Sequence, residues 1–159
     1  MTEFSLPSLL DAVRSGNSTQ VAHILSQSPA LVTQQDARGF TPLLLAAYLG
    51  FEEITAQLLK QPQDIDAQDK AGNTALMGVC FKGHLNIAEM LLEAGASVNK
   101  TNFNGSTALI FAATFGKEAL VKLLLEKDAD KNLKDDTGNT ALAHAKAQGH
   151  TAVVALFED

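Results

Sequence analysis

Apolar residues in this chain fall into pairs of short stretches separated by a glycine, and residues 69–101 show the pattern clearly. Leu76, Val79 and Cys80 recur at the i, i+3, i+4 spacing of one helix face. A longer apolar set follows Gly83 and consists of Leu85, Ile87, Ala88, Leu91 and Leu92. The pattern predicts a short helix, a tight turn and a longer helix.

The same arrangement recurs along the chain at a fixed interval. The motif Gly-x-Thr-Ala/Pro-Leu occurs at 33-residue intervals and begins at Gly39, Gly72, Gly105 and Gly138. A second series has the same interval and comprises Gly50, Gly83, Gly116 and Gly149. Gly16 lies 34 residues before Gly50, which predicts an earlier unit with one inserted residue in its connection. A fixed period of this size indicates a repeat array.

The residues between the helices have turn and capping chemistry. Asp69 can accept hydrogen bonds from the local backbone, and Gly72 can adopt the positive φ that a tight turn needs. Thr74 stands at a helix N-cap position, and Gly95 at a left-handed C-cap. Neither predicted helix reaches the roughly 12–15 residues that an isolated helix needs. Each unit must therefore stack on its neighbours.

These motifs closely resemble the ankyrin repeat family, whose pattern is Asp-x-x-Gly-x-Thr-Pro-Leu-His, then Gly-His, then Leu-Leu. The turn residues that match are Asp36, Asp69, Asn102 and Asp135. The matching threonines are Thr41, Thr74, Thr107 and Thr140. The resemblance implies an all-α fold, an ankyrin-repeat α-solenoid of about five stacked helix-turn-helix units with short β-turn or hairpin tips.

We expect one domain over residues 1–159, in which the first and last units act as caps. The approximate units are 5–35, 36–68, 69–101, 102–134 and 135–159. The family's motif histidine is replaced by Leu44, Met77, Ile110 and Ala143. These replacements shift the contacts between units toward apolar packing. The short stand-alone chain resembles the small bacterial members of the family more than the eukaryotic scaffolds.

Composition and charge limit the kinds of molecule that this chain is expected to bind. The formal net charge is −6, which argues against a nucleic-acid partner and against an anionic membrane surface. The single cysteine excludes an intrachain disulfide and fits a reducing compartment. The N-terminal residues show no signal-peptide pattern, and the longest apolar run is too short to span a bilayer. We therefore expect a cytoplasmic monomer whose partner is another protein.

The resemblance implies that a partner meets the turn tips and the exposed side of the first helices, on the concave face. The residues predicted to bind are Arg38, Phe40, Tyr48, Leu49, Lys70, Asn73, Phe81, Lys82, Phe103, Asn104, Thr114 and Phe115. This set holds five of the aromatic side chains in the chain, which totals 8 Phe and 1 Tyr. Aromatic residues dominate binding hot spots. The alternative is that Tyr48, Phe81 and Phe115 pack across the first helices as structural residues.

The sequence offers little for catalysis or metal binding. His84 and His150 occupy one repeat position two units apart, so we expect structural hydrogen bonds to a loop rather than a shared metal. His23 and His144 are expected to stand alone in their helices. Cys80 is expected to be a small buried apolar residue. We predict no catalytic residue, no cofactor and no metal.

The functional prediction is a protein–protein interaction module with a regulatory or inhibitory role. Small family members that look like this chain also include accessory proteins of peroxide and catalase-linked stress defence, and inhibitors of toxic enzymes. Two further alternatives are an enzyme or metalloprotein that uses Cys80 or the histidines, and a self-assembling structural array.

Overall fold

A computed structural model describes residues 3–158, and the secondary structure of this range is helical, with turns and no strand. The first helices of the successive units are α1 (Leu6–Arg14), α3 (Pro42–Leu49), α5 (Ala75–Lys82), α7 (Ala108–Thr114) and α9 (Ala141–Ala147). The second helices are α2 (Ser18–Gln27), α4 (Glu52–Leu59), α6 (Leu85–Glu93), α8 (Glu118–Glu126) and α10 (Thr151–Phe157). Each first helix packs on the next first helix, and each second helix on the next second helix.

The core lies between these two layers and repeats from unit to unit. Successive second helices bury the same position with Ile54, Ile87, Leu120 and Val153. One turn further along, they bury Leu58, Leu91, Leu124 and Phe157. Each fully buried aliphatic side chain contributes about 1.5–3 kcal/mol relative to exposure. Because neighbouring units cover these side chains, packing between neighbours stabilises the stack.

Threonine begins the first helix of each unit that carries the motif, as the sequence predicts. The hydroxyls of Thr41, Thr74, Thr107 and Thr140 each accept a hydrogen bond from the backbone N–H three residues later. Helices α3 and α5 end at Gly50 and Gly83, which adopt φ values of +84° and +92°. Helix α7 ends one residue earlier relative to its motif, so that Phe115 is its C-cap.

The turn tips are organised by one side-chain oxygen each and are joined by backbone hydrogen bonds. Asp36 Oδ1 accepts from the N–H groups of Arg38 and Phe40, both at 2.9 Å. The Lys70 N–H donates to Arg38 O at 3.1 Å, and equivalent bonds join the later tips. A Cβ atom at Gly39 would lie 2.8 Å from Lys70 N, so this close approach requires glycine.

The connection from α2 to the first tip differs from the later ones. It contains a 3-10 helix, Pro29–Thr33, whose Leu31 and Val32 side chains are buried. This is the connection in which the sequence predicts an inserted residue. Later units pass from second helix to tip without such a helix.

Candidate functional site

Three aromatic side chains form a row across the exposed ends of the first helices. Tyr48, Phe81 and Phe115 are 40%, 37% and 46% exposed. The Tyr48 and Phe81 ring centroids are 6.4 Å apart in an edge arrangement, and the Phe81 and Phe115 rings stack at 4.8 Å. The rings therefore pack on one another, as the structural alternative expects, and still present one side to solvent. We call these three residues the aromatic row.

The early end of α7 explains why Phe115 belongs to the row. The position equivalent to Tyr48 and Phe81 is Thr114, which is half-buried, and its hydroxyl donates to Ile110 O at 2.6 Å. Phe115 follows as the C-cap residue, and its ring reaches the face of Phe81. The Thr114 hydroxyl is thus bonded within its own helix, and Phe115 supplies the exposed apolar surface of this unit.

Cationic side chains lie over aromatic rings at the tips and along the row. The Arg38 guanidinium lies 4.8 Å above the Phe40 ring, and Lys82 Nζ lies 5.2 Å from the Tyr48 ring centroid. Phe40 is half-buried against the core, and it also lines the cavity between the tips and the first helices. Phe103 is 66% exposed at its tip. Arg38 and Lys82 make no ion pair within residues 3–158.

A groove of about 580 Å³ runs between the tips and the first helices, and we call it the tip groove. Its floor is apolar and includes Leu44 and Met77, two of the residues that replace the family's motif histidine. Its walls carry the aromatic and cationic side chains of Tyr48, Phe81, Phe111, Arg14 and Arg38. The tip groove therefore adjoins two members of the aromatic row and combines apolar surface with positive charge.

The remaining predicted binding residues differ in how much they offer to a partner. Leu49, Lys70 and Asn104 are exposed. Asn73 lines the tip groove but is half-buried, and its Oδ1 accepts from Asn102 Nδ2 at 2.8 Å. Asn73 is thus partly engaged in joining two tips. A binding role for these residues stays a prediction.

The sequence interpretation missed Gly78, which lies inside α5 and lines the tip groove. At intervals of 33 residues the equivalent positions are Leu45 and Phe111. A Cβ atom at Gly78 would meet only Tyr48 Cδ1, at 3.5 Å, which is ordinary van der Waals contact. In the series Leu45, Gly78 and Phe111, the middle helix therefore contributes no side chain. Alignment of the units against one another carries the signal that could have identified it.

Cys80 and two of the histidines have structural surroundings. Cys80 is fully buried, and burial raises the pKa of its thiol far above the ordinary value. The His84 Nε2–H donates to Tyr48 O at 3.0 Å, and the His150 Nε2–H donates to Thr114 O at the same distance. Structural hydrogen bonds were expected for both histidines. The acceptor is the end of the preceding unit's first helix, not a loop.

The expectation that His144 stands alone is wrong. Its Nε2–H donates to Asp135 Oδ2 at 2.6 Å, so that a side chain from the middle of α9 contacts the turn that precedes the helix. Partial burial raises the pKa of Asp135, but hydrogen bonds from Thr137, His144 and the backbone outweigh burial and lower the pKa to about 2. His23 packs against the Phe4 ring at 5.4 Å. Residues 3–158 contain no group of three His, Cys, Asp or Glu side chains placed to hold a metal ion.

A second cleft, of about 550 Å³, lies between α8, the loop that follows it and α10. Its rim carries both charge signs, with Lys122, Glu126 and Lys131 among its residues. None of the strongly exposed aromatic side chains borders this cleft. The tip groove is the better candidate for binding because its apolar floor and exposed rings supply surface that gains from burial.

Comparison with known proteins identifies the family. A search of curated proteins found no match. Across residues 3–158, no helix is both long and apolar enough to cross a bilayer. The family model described as ankyrin repeats, in three copies, matches residues 9–102 and 97–159. This match and the helical architecture confirm the predicted all-α repeat solenoid. The chain belongs to the ankyrin repeat family.

Proposed function

We propose that this chain binds a partner protein through the aromatic row and the tip groove, and that binding regulates or inhibits the partner. Ankyrin repeats indicate a protein–protein interaction module in general. The observation that carries the location is the aromatic row, whose three rings are each 37–46% exposed on adjoining helix ends. A contiguous patch of this kind is typical of an interaction site.

The aromatic row can supply part of the free energy of specific binding. Full burial of one aromatic side chain is worth about 1.5–3 kcal/mol. Micromolar affinity corresponds to about 8 kcal/mol. The three rings are already more than half buried, so covering what remains of them contributes only about 2–4 kcal/mol. The tip groove and the exposed cations must therefore contribute the larger share against the costs of association. Because the rings stand on packed helices, they lose little conformational freedom on binding, which favours affinity.

A regulatory or inhibitory role is the form of activity that this surface supports. A rigid face can cover a site on the partner without any chemistry of its own. The tip groove offers aromatic, aliphatic and cationic side chains, while Cys80 is enclosed in the core. These features favour recognition over catalysis.

Affinity capture from native lysate, with identification by mass spectrometry, tests the proposal. The wild type is compared with Phe81→Ala/Phe115→Ala, and circular dichroism melts verify that both are folded. A matched control is Phe4→Ala/Leu156→Ala, which removes two half-buried apolar side chains away from the row. We expect the partner to be lost only from the Phe81/Phe115 variant. A partner retained by the folded Phe81/Phe115 variant would place the interface elsewhere.

A further inference from the structure

The most unusual residue of the tip groove is a glycine that the backbone does not require. Gly78 lies within α5, between Ala75 and Lys82, and does not adopt a positive φ. Glycine inside a helix costs roughly 1 kcal/mol relative to alanine. A Cβ atom would be accommodated here, because its nearest neighbour is Tyr48 Cδ1 at 3.5 Å. The fold therefore gains nothing evident from glycine, and such local exceptions are expected at functional sites.

The consequence of this glycine is an apolar recess. Leu45 and Phe111 fill the equivalent positions of the neighbouring helices, and Gly78 leaves the space between them open. Met77, only 1% exposed, contributes to the floor, and the Tyr48 ring stands beside the gap. The whole groove, at about 580 Å³, is within the roughly 300–1,000 Å³ range of ligand sites. It can hold a bulky apolar side chain together with its flanking residues.

The charged side chains that line the groove determine which residues a bound peptide can carry beside its apolar side chain. Arg14 and Arg38 both line this region, although the chain as a whole is acidic. Arg14 contacts Asp11 at 3.0 Å, but both side chains are well exposed, and such pairs are weak enough to exchange partners. Arg38 makes no ion pair within residues 3–158.

The one carboxylate that lines the groove, Asp69, organises its own turn tip, but hydrogen bonds from N–H groups do not cancel its negative charge. Asp69 Oδ1 accepts from the N–H groups of Ala71 and Asn73, both at 2.9 Å. Arginine suits a carboxylate because its planar guanidinium can donate two parallel hydrogen bonds. The lining of the groove holds two arginines and one carboxylate, and this excess of positive charge favours acidic residues in a ligand.

We propose that the tip groove binds an acidic peptide segment, in which a bulky apolar side chain enters the recess beside Gly78 and neighbouring carboxylates pair with the arginines that line the groove, Arg14 and Arg38. The inference rests on the proposed function and specifies the chemistry of the partner. It also adds Gly78, Arg14 and Phe111 to the residues that determine what the surface accepts.

Selection from a phage-displayed library of random 12-residue peptides tests the inference directly. The wild type is compared with Gly78→Leu, which restores the side chain that Leu45 supplies one unit earlier. Ala119→Leu, at an exposed position of α8, is the matched control. We expect the wild type and the control to enrich peptides with Leu or an aromatic residue next to Asp or Glu, and Gly78→Leu to enrich none of them. Enrichment of basic or uncharged peptides, or no enrichment over Gly78→Leu, would overturn the inference.

Affinities of one synthetic peptide from the selection separate the two parts of the site. Gly78→Leu should weaken binding by about 30-fold or more, as expected for a lost hot-spot contact. Arg14→Gln/Arg38→Gln should weaken it by about tenfold or more. Lys122→Gln/Lys127→Gln makes the same change in net charge on α8 and at its C-cap, and should leave affinity unchanged. Equal effects of the two charge variants would contradict a specific carboxylate site.

A milder variant guards against misfolding. Gly78→Ala should raise the thermal midpoint, since alanine favours the helix, and should still weaken peptide binding because its methyl group narrows the recess. A variant that is more stable but binds less tightly cannot be explained by unfolding. Unchanged peptide affinity in Gly78→Ala and Gly78→Leu would refute the recess as a site.

The same variants distinguish this inference from the proposed function. If the captured protein depends on Phe81 and Phe115 but is indifferent to Gly78→Leu and to Arg14→Gln/Arg38→Gln, the module binds protein and the acidic-segment inference fails. If the captured protein is indifferent to Phe81 and Phe115 as well, the proposed function fails at this surface.

Discussion

At each turn tip, one side-chain oxygen accepts two backbone N–H groups, and asparagine serves as well as aspartate. Asn102 Oδ1 accepts from Asn104 and Ser106 at 3.0 and 2.9 Å. Asp135 Oδ1 accepts from Thr137 and Asn139 at 3.0 and 3.2 Å. Two side-chain bonds distinguish Asp135: its Oδ1 also accepts from the Thr137 hydroxyl, and its Oδ2 accepts from His144. A carboxylate at this position therefore adds an interaction that an amide cannot reproduce.

Replacement of Asp135 by asparagine should cost about 1–2 kcal/mol of unfolding free energy at pH 7, because the charged acceptor of His144 is lost while the turn is retained. The pKa of Asp135 is lowered from 3.8 to about 2 in the folded state. A lowered pKa gives stability above the unfolded value, and this stability is lost as pH falls through the folded value. The difference between wild type and variant should therefore shrink between about pH 4 and pH 2.

Urea unfolding at pH 7, 4 and 2.5 measures this difference. Asp69→Asn is the control, since Asp69 accepts the same two backbone N–H groups but has neither a hydroxyl nor a histidine bonded to its carboxylate. We expect the control to change stability less at pH 7. A wild-type advantage over Asp135→Asn that stays constant with pH would disprove a contribution from the ionised carboxylate.

The residue-scale features that sequence could predict are those set by local chemistry. Threonine N-caps and turn aspartates act within four residues of their own position, so the motif alone identifies them. The burial of Phe40 depends on how its tip packs against the core, which local sequence does not specify. Gly78 was missed for another reason: its effect appears only when its unit is compared with the units on either side.

At the scale of one helix and its caps, Asp128 occupies a conformation that suits glycine. Its φ is +63°, while Gly95 takes φ +101° at the equivalent position one unit earlier. A left-handed conformation costs roughly 1–2 kcal/mol for most residues, and less for Asp and Asn. Asp128 is exposed and follows the C-cap of α8. This site therefore carries strain that a substitution can relieve.

Asp128→Gly should raise the unfolding free energy by about 0.5–1 kcal/mol, after allowance for the greater freedom of glycine in the unfolded chain. Thermal and urea melts measure the change. Asp128→Ala removes the same charge but keeps a Cβ atom, so it should destabilise the protein. If the two variants have the same effect, charge rather than backbone conformation determines stability at this position.

The residue at which α7 ends could not be predicted from the repeat interval. The repeat interval places Thr114, not Phe115, in line with Tyr48 and Phe81. The helix ends instead before Phe115, which becomes the C-cap and stacks on Phe81 at 4.8 Å. One residue of difference in a helix end thus decides which side chain completes the aromatic row.

Across the whole molecule, burial is unequal among the units. Helix α5 buries five side chains, including Leu76, Met77 and Val79. In α9 and α10 the buried residues are Ala141, Ala145, Val153 and Phe157. Because stability in a repeat array is a sum of unit and nearest-neighbour terms, the unit with least burial should open most readily.

Native-state hydrogen exchange should show amide protection in α9 and α10 at least about tenfold lower than in α5 and α6. The reason is that less apolar surface must be exposed to open the last unit. Mass spectrometry of peptides from each helix gives the comparison in one experiment. Equal protection along the stack would mean that the molecule opens only as a single cooperative unit.

The fold of the whole molecule was predictable because it follows from the 33-residue repeat, and a single sequence is enough to show that repeat. Glycines at 33-residue intervals fix where helices meet, and the same buried positions then recur in each unit. The proposed binding surface depends on departures from the period, such as Gly78 and Phe115. The sequence alone names Phe115 as a candidate binding residue, whereas the recess at Gly78 becomes evident only when neighbouring units are superposed.

The backbone hydrogen bond between adjacent tips has a consequence for how such a chain can change over generations. The Lys70 N–H donates to Arg38 O, and the two later tips donate to the preceding tip in the same way. Neighbouring units are therefore joined by one repeated type of contact. Duplication of a 33-residue gene segment would therefore insert a compatible unit without disturbing the rest. The number of units could therefore change by recombination. A copy of the unit that contains Gly78 would carry a second recess, whose sequence could then diverge under selection.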